Sequence, residues 1–222
     1  MCGRFVLFSD LKQIQLAFDI GQTEISVTPS YNIAPTHPVL AVVQRAGANT
    51  LETMRWGLIP SWAADEKIGA RMINARAETV AEKPSFKRSL QKRRCLVIAD
   101  GFYEWRTEPK QKIPMYIRRK SNGPLGFAGL YDTWKSPQGE TITSCAIITT
   151  TANELIQSIH DRMPVILPKA AQQVWLDPAY QDIAQLMTLL KPYPAEDMET
   201  RRVSPLVNSP QHNSIDCIQP ID

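Results

Sequence analysis

The stretch Cys95-Leu96-Val97-Ile98-Ala99-Asp100-Gly101-Phe102-Tyr103-Glu104-Trp105-Arg106 sets the fold class. Its apolar opening, 95–99, predicts a short buried strand, because β-branched side chains pack well on a pleated surface. Asp100-Gly101 is turn chemistry, so 102–106 reads as the returning strand. Side chains alternate in an extended chain, which puts Phe102, Glu104 and Arg106 on one face and Tyr103 and Trp105 on the other.

Similar signals lie on both sides. Strands are predicted over 39–43 and 51–58, joined by a turn at Gly47-Ala48-Asn49. Residues 72–76 read as extended, with Asn74 and Arg76 on one face and Ile73 and Ala75 on the other. Further strands are expected at 116–118, 126–134, 143–150 and 165–167. Asp10 is placed to cap a helix over 11–18, with Leu11, Ile14 and Phe18 on one side. Helices are also expected over 79–92, with Pro84 near the start of its second part, and over 153–158, 169–176 and 183–190. The proline-rich run 29–38 reads as an irregular loop carrying Pro35, and 59–63 as a loop carrying Trp62. The tail from Lys191 is rich in proline and polar residues. No repeat, low-complexity segment or linker divides the chain. The expectation is one α+β domain over 1–222, with a mainly antiparallel, β-rich core and peripheral helices.

The 222 residues are 43% hydrophobic and 21% charged, as in ordinary soluble globular proteins. No apolar run is long enough to span a membrane. No basic stretch followed by an apolar one opens the chain as a signal peptide would. The cysteines, Cys2, Cys95, Cys145 and Cys217, are far apart and form no CxxC pair. That argues against a zinc knuckle and for reduced thiols in a cytoplasmic protein. There is no GxGxxG, Walker loop or metal-ligand cluster, so no cofactor and no metal are expected. The formal charge of +3 says little. Its distribution says more: Lys83, Lys87, Arg88, Lys92, Arg93 and Arg94 cluster, as do Arg118, Arg119 and Lys120, with Trp56, Trp62, Trp105 and Trp134 between. Bases stack on rings while cations track phosphates, so this pattern suggests a groove for single-stranded nucleic acid. A charge run is more often just a solvated helix face, so this pattern decides nothing by itself.

Met1-Cys2-Gly3-Arg4-Phe5 carries the sharpest chemistry. Removal of Met1 would leave Cys2 with an α-amine (reference pKa about 7.7–8.0) and a thiol (about 8.5) on neighbouring carbons. An aldehyde meeting such a pair forms an imine, onto which the thiol closes as a five-membered thiazolidine. Cys2 is otherwise an ordinary small residue near a chain end. Glu104 lies among aromatics, where burial raises a carboxyl pKa and makes a usable acid or base. Its plainer reading is a carboxylate neutralised by Arg106. His160 follows a helix end and precedes Pro164, a rigid corner suited to aiming an imidazole. Its plainer reading is a helix C-cap. Asn74 offers donor and acceptor, and Arg76 a planar fork for phosphate. Both could equally be polar residues on an edge strand.

Taken in order, Met1-Cys2-Gly3-Arg4-Phe5, Tyr31-Asn32-Ile33-Ala34-Pro35, Trp56-Gly57-Leu58-Ile59-Pro60, Ile73-Asn74-Ala75-Arg76-Ala77-Glu78-Thr79, Asp100-Gly101-Phe102-Tyr103-Glu104-Trp105 and Ile159-His160-Asp161-Arg162-Met163-Pro164 resemble the SOS-response-associated peptidase (SRAP) family of abasic-site processing proteins. The likeness runs from residue 1 to about 167 and more loosely to the end. It implies a barrel-like core and a monomer that binds single-stranded DNA, nucleoid-associated if bacterial. It also implies a covalent crosslink to the ring-opened aldehyde of an abasic site. Cys2 would be the nucleophile, and Asn74 would hold the sugar-derived chain or the Cys2 amine. Glu104 would move protons around imine formation, and His160 would help open the sugar. Arg4, Arg76 and Arg162 would meet phosphates, with Pro35, Trp62 and Trp105 along the DNA path. The resemblance further implies abasic-site lyase activity and peptidase-like removal of Met1. Lys83-Pro84-Ser85-Phe86 departs from the pattern where an Arg and a bulky wedge would stand. Two other classes compete: an N-terminal-nucleophile Cys amidohydrolase, which would show glutaminase activity, and a non-catalytic single-strand-binding module indifferent to Cys2→Ala.

Overall fold

The computed structural model describes residues 2–221, so the expected removal of Met1 lies outside the described residues. The strands are β1 (Phe5–Leu7), β2 (Ser30–Ile33), β3 (Pro38–Arg45), β4 (Ala48–Trp56), β5 (Asn74–Arg76), β6 (Arg94–Ala99), β7 (Gly101–Glu108), β8 (Gln111–Arg119), β9 (Leu125–Lys135), β10 (Thr141–Thr151), β11 (Arg162–Pro164) and β12 (Met198–Arg202). The α-helices are α1 (Leu11–Phe18), α2 (Pro84–Lys92), α3 (Glu154–Gln157), α4 (Lys169–Leu176) and α5 (Ile183–Thr188).

Strands β10, β4, β3, β6 and β9 are hydrogen-bonded in that order, and β9 pairs back onto β10. The sheet therefore closes as a barrel, which removes its edges. Around the barrel the pairings are antiparallel except the short β4–β10 contact, Arg55 with Ser144 and Trp56 with Cys145, and β5 adds a second parallel pairing on β10. A second sheet runs β12-β8-β7-β1-β2. Alternation along its strands serves two cores. Phe5, Phe102, Met115 and Ile117 join the main core, while Val6, Tyr103 and Tyr116 meet Val203, Val207 and Cys217 of the tail. The α+β architecture with a barrel-like antiparallel core is the one expected.

The deciding stretch is not a hairpin. Ala99 on β6 pairs with Leu125 in the barrel, whereas Gly101 on β7 pairs with Val6 in the other sheet. The chain crosses between sheets at Asp100. Its buried carboxylate is not spent on a tight turn. It accepts from the Phe8 and Ser9 amides (2.6 and 2.7 Å) and from the Ser9 hydroxyl (2.5 Å). Gly101 is required by close approach: a Cβ there would lie 2.6 Å from the Tyr116 ring and 2.7 Å from the Ile117 carbonyl.

Other differences have local causes. The β3–β4 turn is Ala46-Gly47, both at positive φ (49° and 83°), which matches the twist of a two-residue hairpin. Asn49, expected in the turn, pairs with Gln44 instead. The loop over 29–38 contains β2, held by β1. The helix expected over 79–92 is broken before Pro84, which takes the first turn of α2, where its missing N–H is harmless. The strand expected at 165–167 forms earlier, at β11, and Ile166 makes only a single bridge to Phe127. The tail is not irregular throughout, since β12 completes the second sheet on β8.

Candidate functional site

An open cleft of about 590 Å³ is lined by Glu104, Trp105, Thr107, Lys112, Ile159, His160 and Asn208. Glu104 and Trp105 come from β7, Thr107 and Lys112 from paired positions on β7 and β8, His160 from the corner between α3 and β11, and Asn208 from the tail. Glu104 follows Phe102 on the barrel side of β7 and is 3% exposed. Burial pushes its carboxyl up to about 7. Arg106 does not neutralise it, because that guanidinium pairs with Glu108 at 3.0 Å. A carboxyl so placed exchanges a proton readily near neutral pH.

Cys2 is fully buried. The antiparallel register of Phe5 with Phe102 and Val6 with Gly101, and the bond from the Tyr103 amide to the Arg4 carbonyl (2.9 Å), bring the chain start back along β7 toward Glu104. Burial, with the Glu104 carboxylate adding to it, pushes the Cys2 thiol well up, so at rest it is protonated. It needs a nearby base to become a nucleophile.

His160 is held by its Nδ1, which accepts from the Arg162 amide at 3.0 Å. Burial above all lowers its pKa, with the Lys112 charge a minor addition, so the ring is neutral at pH 7. With Nδ1 accepting, the ring proton belongs on Nε2. Asp161 Oδ1 also lies 2.9 Å from Nδ1 but is 85% exposed, and it is an ion partner only to a protonated ring. The two contacts need opposite states of Nδ1, an acceptor for the amide and a donor for the exposed Asp161.

Asn74 and Arg76 share a face of β5, while Ala75 between them is fully buried. Asn74 Nδ2 has a long contact to the Ile147 carbonyl (3.5 Å). Its Oδ1 is buried with no hydrogen-bond partner among the described residues, an acceptor available to an amine or hydroxyl. Arg76 is exposed. Arg162 forms a bidentate pair with Glu78 at 2.6 and 2.9 Å. Arg4 donates to Asn32 Oδ1 (2.7 Å) and the Val207 carbonyl (2.6 Å), and lies 5.8 Å from the Trp105 ring centre. Trp105 Nε1 donates to Asn208 Oδ1 at 2.7 Å. Pro35 is half-buried, and Trp62 is 62% exposed on its loop.

Glu104, Trp105 and His160 thus meet in one cleft with Cys2 in reach of Glu104. Asn74, Arg76 and Arg162 cluster on strands that flank β10, and Trp62 stands on a separate loop. The basic runs are partly consumed by structure. Arg94 is 3% exposed and donates to carbonyls of Trp175, Leu90, Gln91, Asp177 and Tyr180. Arg93 pairs with Asp132, and Arg118 with Glu199. Lys83 at the start of α2 and Lys87, Arg88 and Lys92 on it remain exposed. Lys112, Asn208 and Glu78 were not foreseen. Pro109-Lys110, read as a hairpin turn, would have set Lys112 opposite Thr107, but nothing in the tail marks Asn208.

The sequence matches the family described as SOS response associated peptidase (SRAP) over residues 1–210. The chain belongs to the SRAP family. It is 52% identical to abasic site processing protein YoqW of Bacillus subtilis, over 99% of both chains. It is 36% identical to abasic site processing protein HMCES of Xenopus tropicalis, covering 87% of this chain and 66% of that one. A crystal structure of a Bacteroides thetaiotaomicron protein superposes with a TM-score of 0.88 at 28% identity, covering 99% of this chain and 100% of that one. No helix among the described residues is long and apolar enough to cross a membrane.

Proposed function

We propose that this SRAP protein acts as a monomer on single-stranded DNA and captures abasic sites covalently through Cys2 after Met1 has been removed. The observation that carries the reading is the buried Cys2 beside a Glu104 whose burial sets its pKa near 7, at a cleft shared with a neutral His160. The names of YoqW and HMCES supply the lesion. In the proposed reaction the Cys2 amine attacks the aldehyde carbon and water leaves, giving an imine. Glu104 accepts the thiol proton, sulfur bonds to the imine carbon, and the nitrogen takes a proton back. The ring is closed with no change of oxidation state. His160, donating from Nε2, would favour the open-chain sugar, and Asn74 Oδ1 would accept from the amine or a sugar hydroxyl. Arg4, Arg76 and Arg162 would hold phosphates, with Pro35, Trp62 and Trp105 along the strand.

Before ring closure, the imine acidifies the neighbouring C–H. Elimination of the 3′ phosphate is then the accompanying lyase activity, and it should appear when the thiol is missing. Removal of Met1 by the protein's own site is the remaining peptidase-like step. The test is a denaturing gel of protein with abasic single-stranded DNA, comparing untagged, C-tagged and non-cleavably N-tagged forms and Cys2→Ala. The untagged and C-tagged forms should give a heat-stable adduct. The N-tagged form and Cys2→Ala should not, since one lacks the amine and the other the thiol. A heat-stable adduct from the N-tagged form would mean the thiol acts alone, and the thiazolidine would have to be abandoned.

A further inference from the structure

The pair formed by Arg162 and Glu78 is not explained by the chemistry of the cleft. Arg162 on β11 is only 12% exposed, whereas Glu78 is 48% exposed. Nη1 donates to Oε1 at 2.6 Å and Nη2 to Oε2 at 2.9 Å, and Nη2 also donates to the Thr149 carbonyl at 2.6 Å. The fork is fully used on its outer edge. Nε is buried with no hydrogen-bond partner among the described residues, so the guanidinium is held in place by the carboxylate and one carbonyl. Glu78 stands on the short 3₁₀ turn Ala77–Thr79, immediately after Arg76 and β5. The Arg162 hydrogen bond, helped by the Arg76 charge, holds its carboxyl below the ordinary range, so it is ionised at neutral pH.

A half-exposed ion pair adds little stability. Its geometry says more. A carboxylate offers a guanidinium two oxygens at nearly the spacing that a phosphate does, and both bind the fork in the same bidentate way. An anion therefore already occupies the place where a strand's phosphate would sit on Arg162, and it is carried on a turn next to Arg76.

We propose that Glu78 is a built-in placeholder for a DNA phosphate: it keeps the Arg162 fork aimed and charge-compensated in the free protein and is displaced when a strand lies across β5 and β11. The inference rests on the single-strand reading above and deepens it. The displacement lowers affinity for undamaged strands, so that lasting retention depends on covalent capture at Cys2.

The experiment measures fluorescence anisotropy of a labelled, undamaged single-stranded oligonucleotide across a salt series, at equal folded fraction. Glu78→Gln keeps the size and one oxygen for the fork while removing the charge. It should bind about fivefold tighter, the scale of one partly exposed ion pair. Its log–log salt slope should steepen by about 0.7, because the cation freed from the phosphate that Arg162 neutralises is no longer offset by one taken up by a displaced Glu78 carboxylate. Glu78→Ala, read the same way, covers any packing fault peculiar to glutamine. In an Arg162→Ala background the gain should shrink below about twofold. Unchanged or weakened binding by both variants overturns the placeholder, leaving Glu78 as a structural partner only. A gain that persists without Arg162 overturns it too, since it would reflect net charge alone. A wild-type protein with no salt-dependent binding overturns the single-strand reading and the placeholder with it.

Discussion

Glu104 should make the protein less stable as pH rises, and Glu104→Gln should remove the effect. The carboxyl is 3% exposed, and its burial raises the pKa from the ordinary 4.5 to about 7. Between these values the folded protein keeps a proton that the unfolded chain gives up. The folded state then binds more protons than the unfolded one, so the free energy of unfolding declines with pH. The stabilisation is complete below about 4.5 and is lost as pH climbs through about 7. At about 1.4 kcal/mol for each pH unit between the two states, the full loss is about 3 kcal/mol. Glutamine keeps the shape and does not titrate. Urea unfolding of both proteins at pH 4.5, 6 and 8 gives the difference directly. Titrating groups that do not interact with Glu104 are common to both and cancel. Glu104→Gln should gain about 3 kcal/mol on the wild type between the lowest and highest pH, with most of the change below pH 7. A difference that stays constant with pH would show that the carboxyl titrates normally, and the argument for Glu104 as a proton carrier near neutrality would fall with it.

Two further predictions concern the scaffold. Arg94→Met should destabilise the fold by about 3–5 kcal/mol in urea, because the carbonyls of Trp175, Leu90 and Gln91 lose a buried cationic donor. The salt slope for single-stranded DNA should be unchanged in the folded fraction, and a shallower slope would return Arg94 to the DNA surface. Gly57→Ala should lower the melting temperature by an amount equivalent to about 2 kcal/mol or more, since φ is +129° and the added Cβ would lie 2.6 Å from the Gly69 carbonyl. A melting curve matching wild type would mean the 57 and 69 segments separate without cost.

Local chemistry was legible where one short segment decides the outcome. Asp10 caps α1 by accepting from the Gln13 amide, with Gln13 returning the bond, and α4 spans the residues expected. The apolar runs of β3, β6, β9 and β10 announce themselves because both their faces are covered. Partnership was not legible. Asp100-Gly101 has the composition of a hairpin turn, but a carboxylate anchoring Phe8 and Ser9 from more than ninety positions away leaves no local trace. The same is true of β2 and β12, polar strands that exist because β1 and β8 offer edges. At the site, residue types bearing chemistry stood out, and Glu104 and His160 do share a cleft. Lys112 and Asn208 are ordinary polar residues made relevant by position alone, and Arg93 and Arg94 counted as binding charge until their partners were known.

The start of the chain is fastened by chain made long after it. Arg4 reaches a carbonyl at Val207, 203 positions downstream, and Asn32 binds the carbonyls of Ser209 and His212. β1 is an interior strand whose neighbour β7 is also distant in sequence. During synthesis, then, β1 can meet β2 early and β7 midway, but the Arg4 and Asn32 contacts to the tail can form only when nearly all of the chain has been made. With those contacts made, Cys2 lies fully buried. The enclosure of Cys2 thereby depends on residues beyond position 200 as well as on β7.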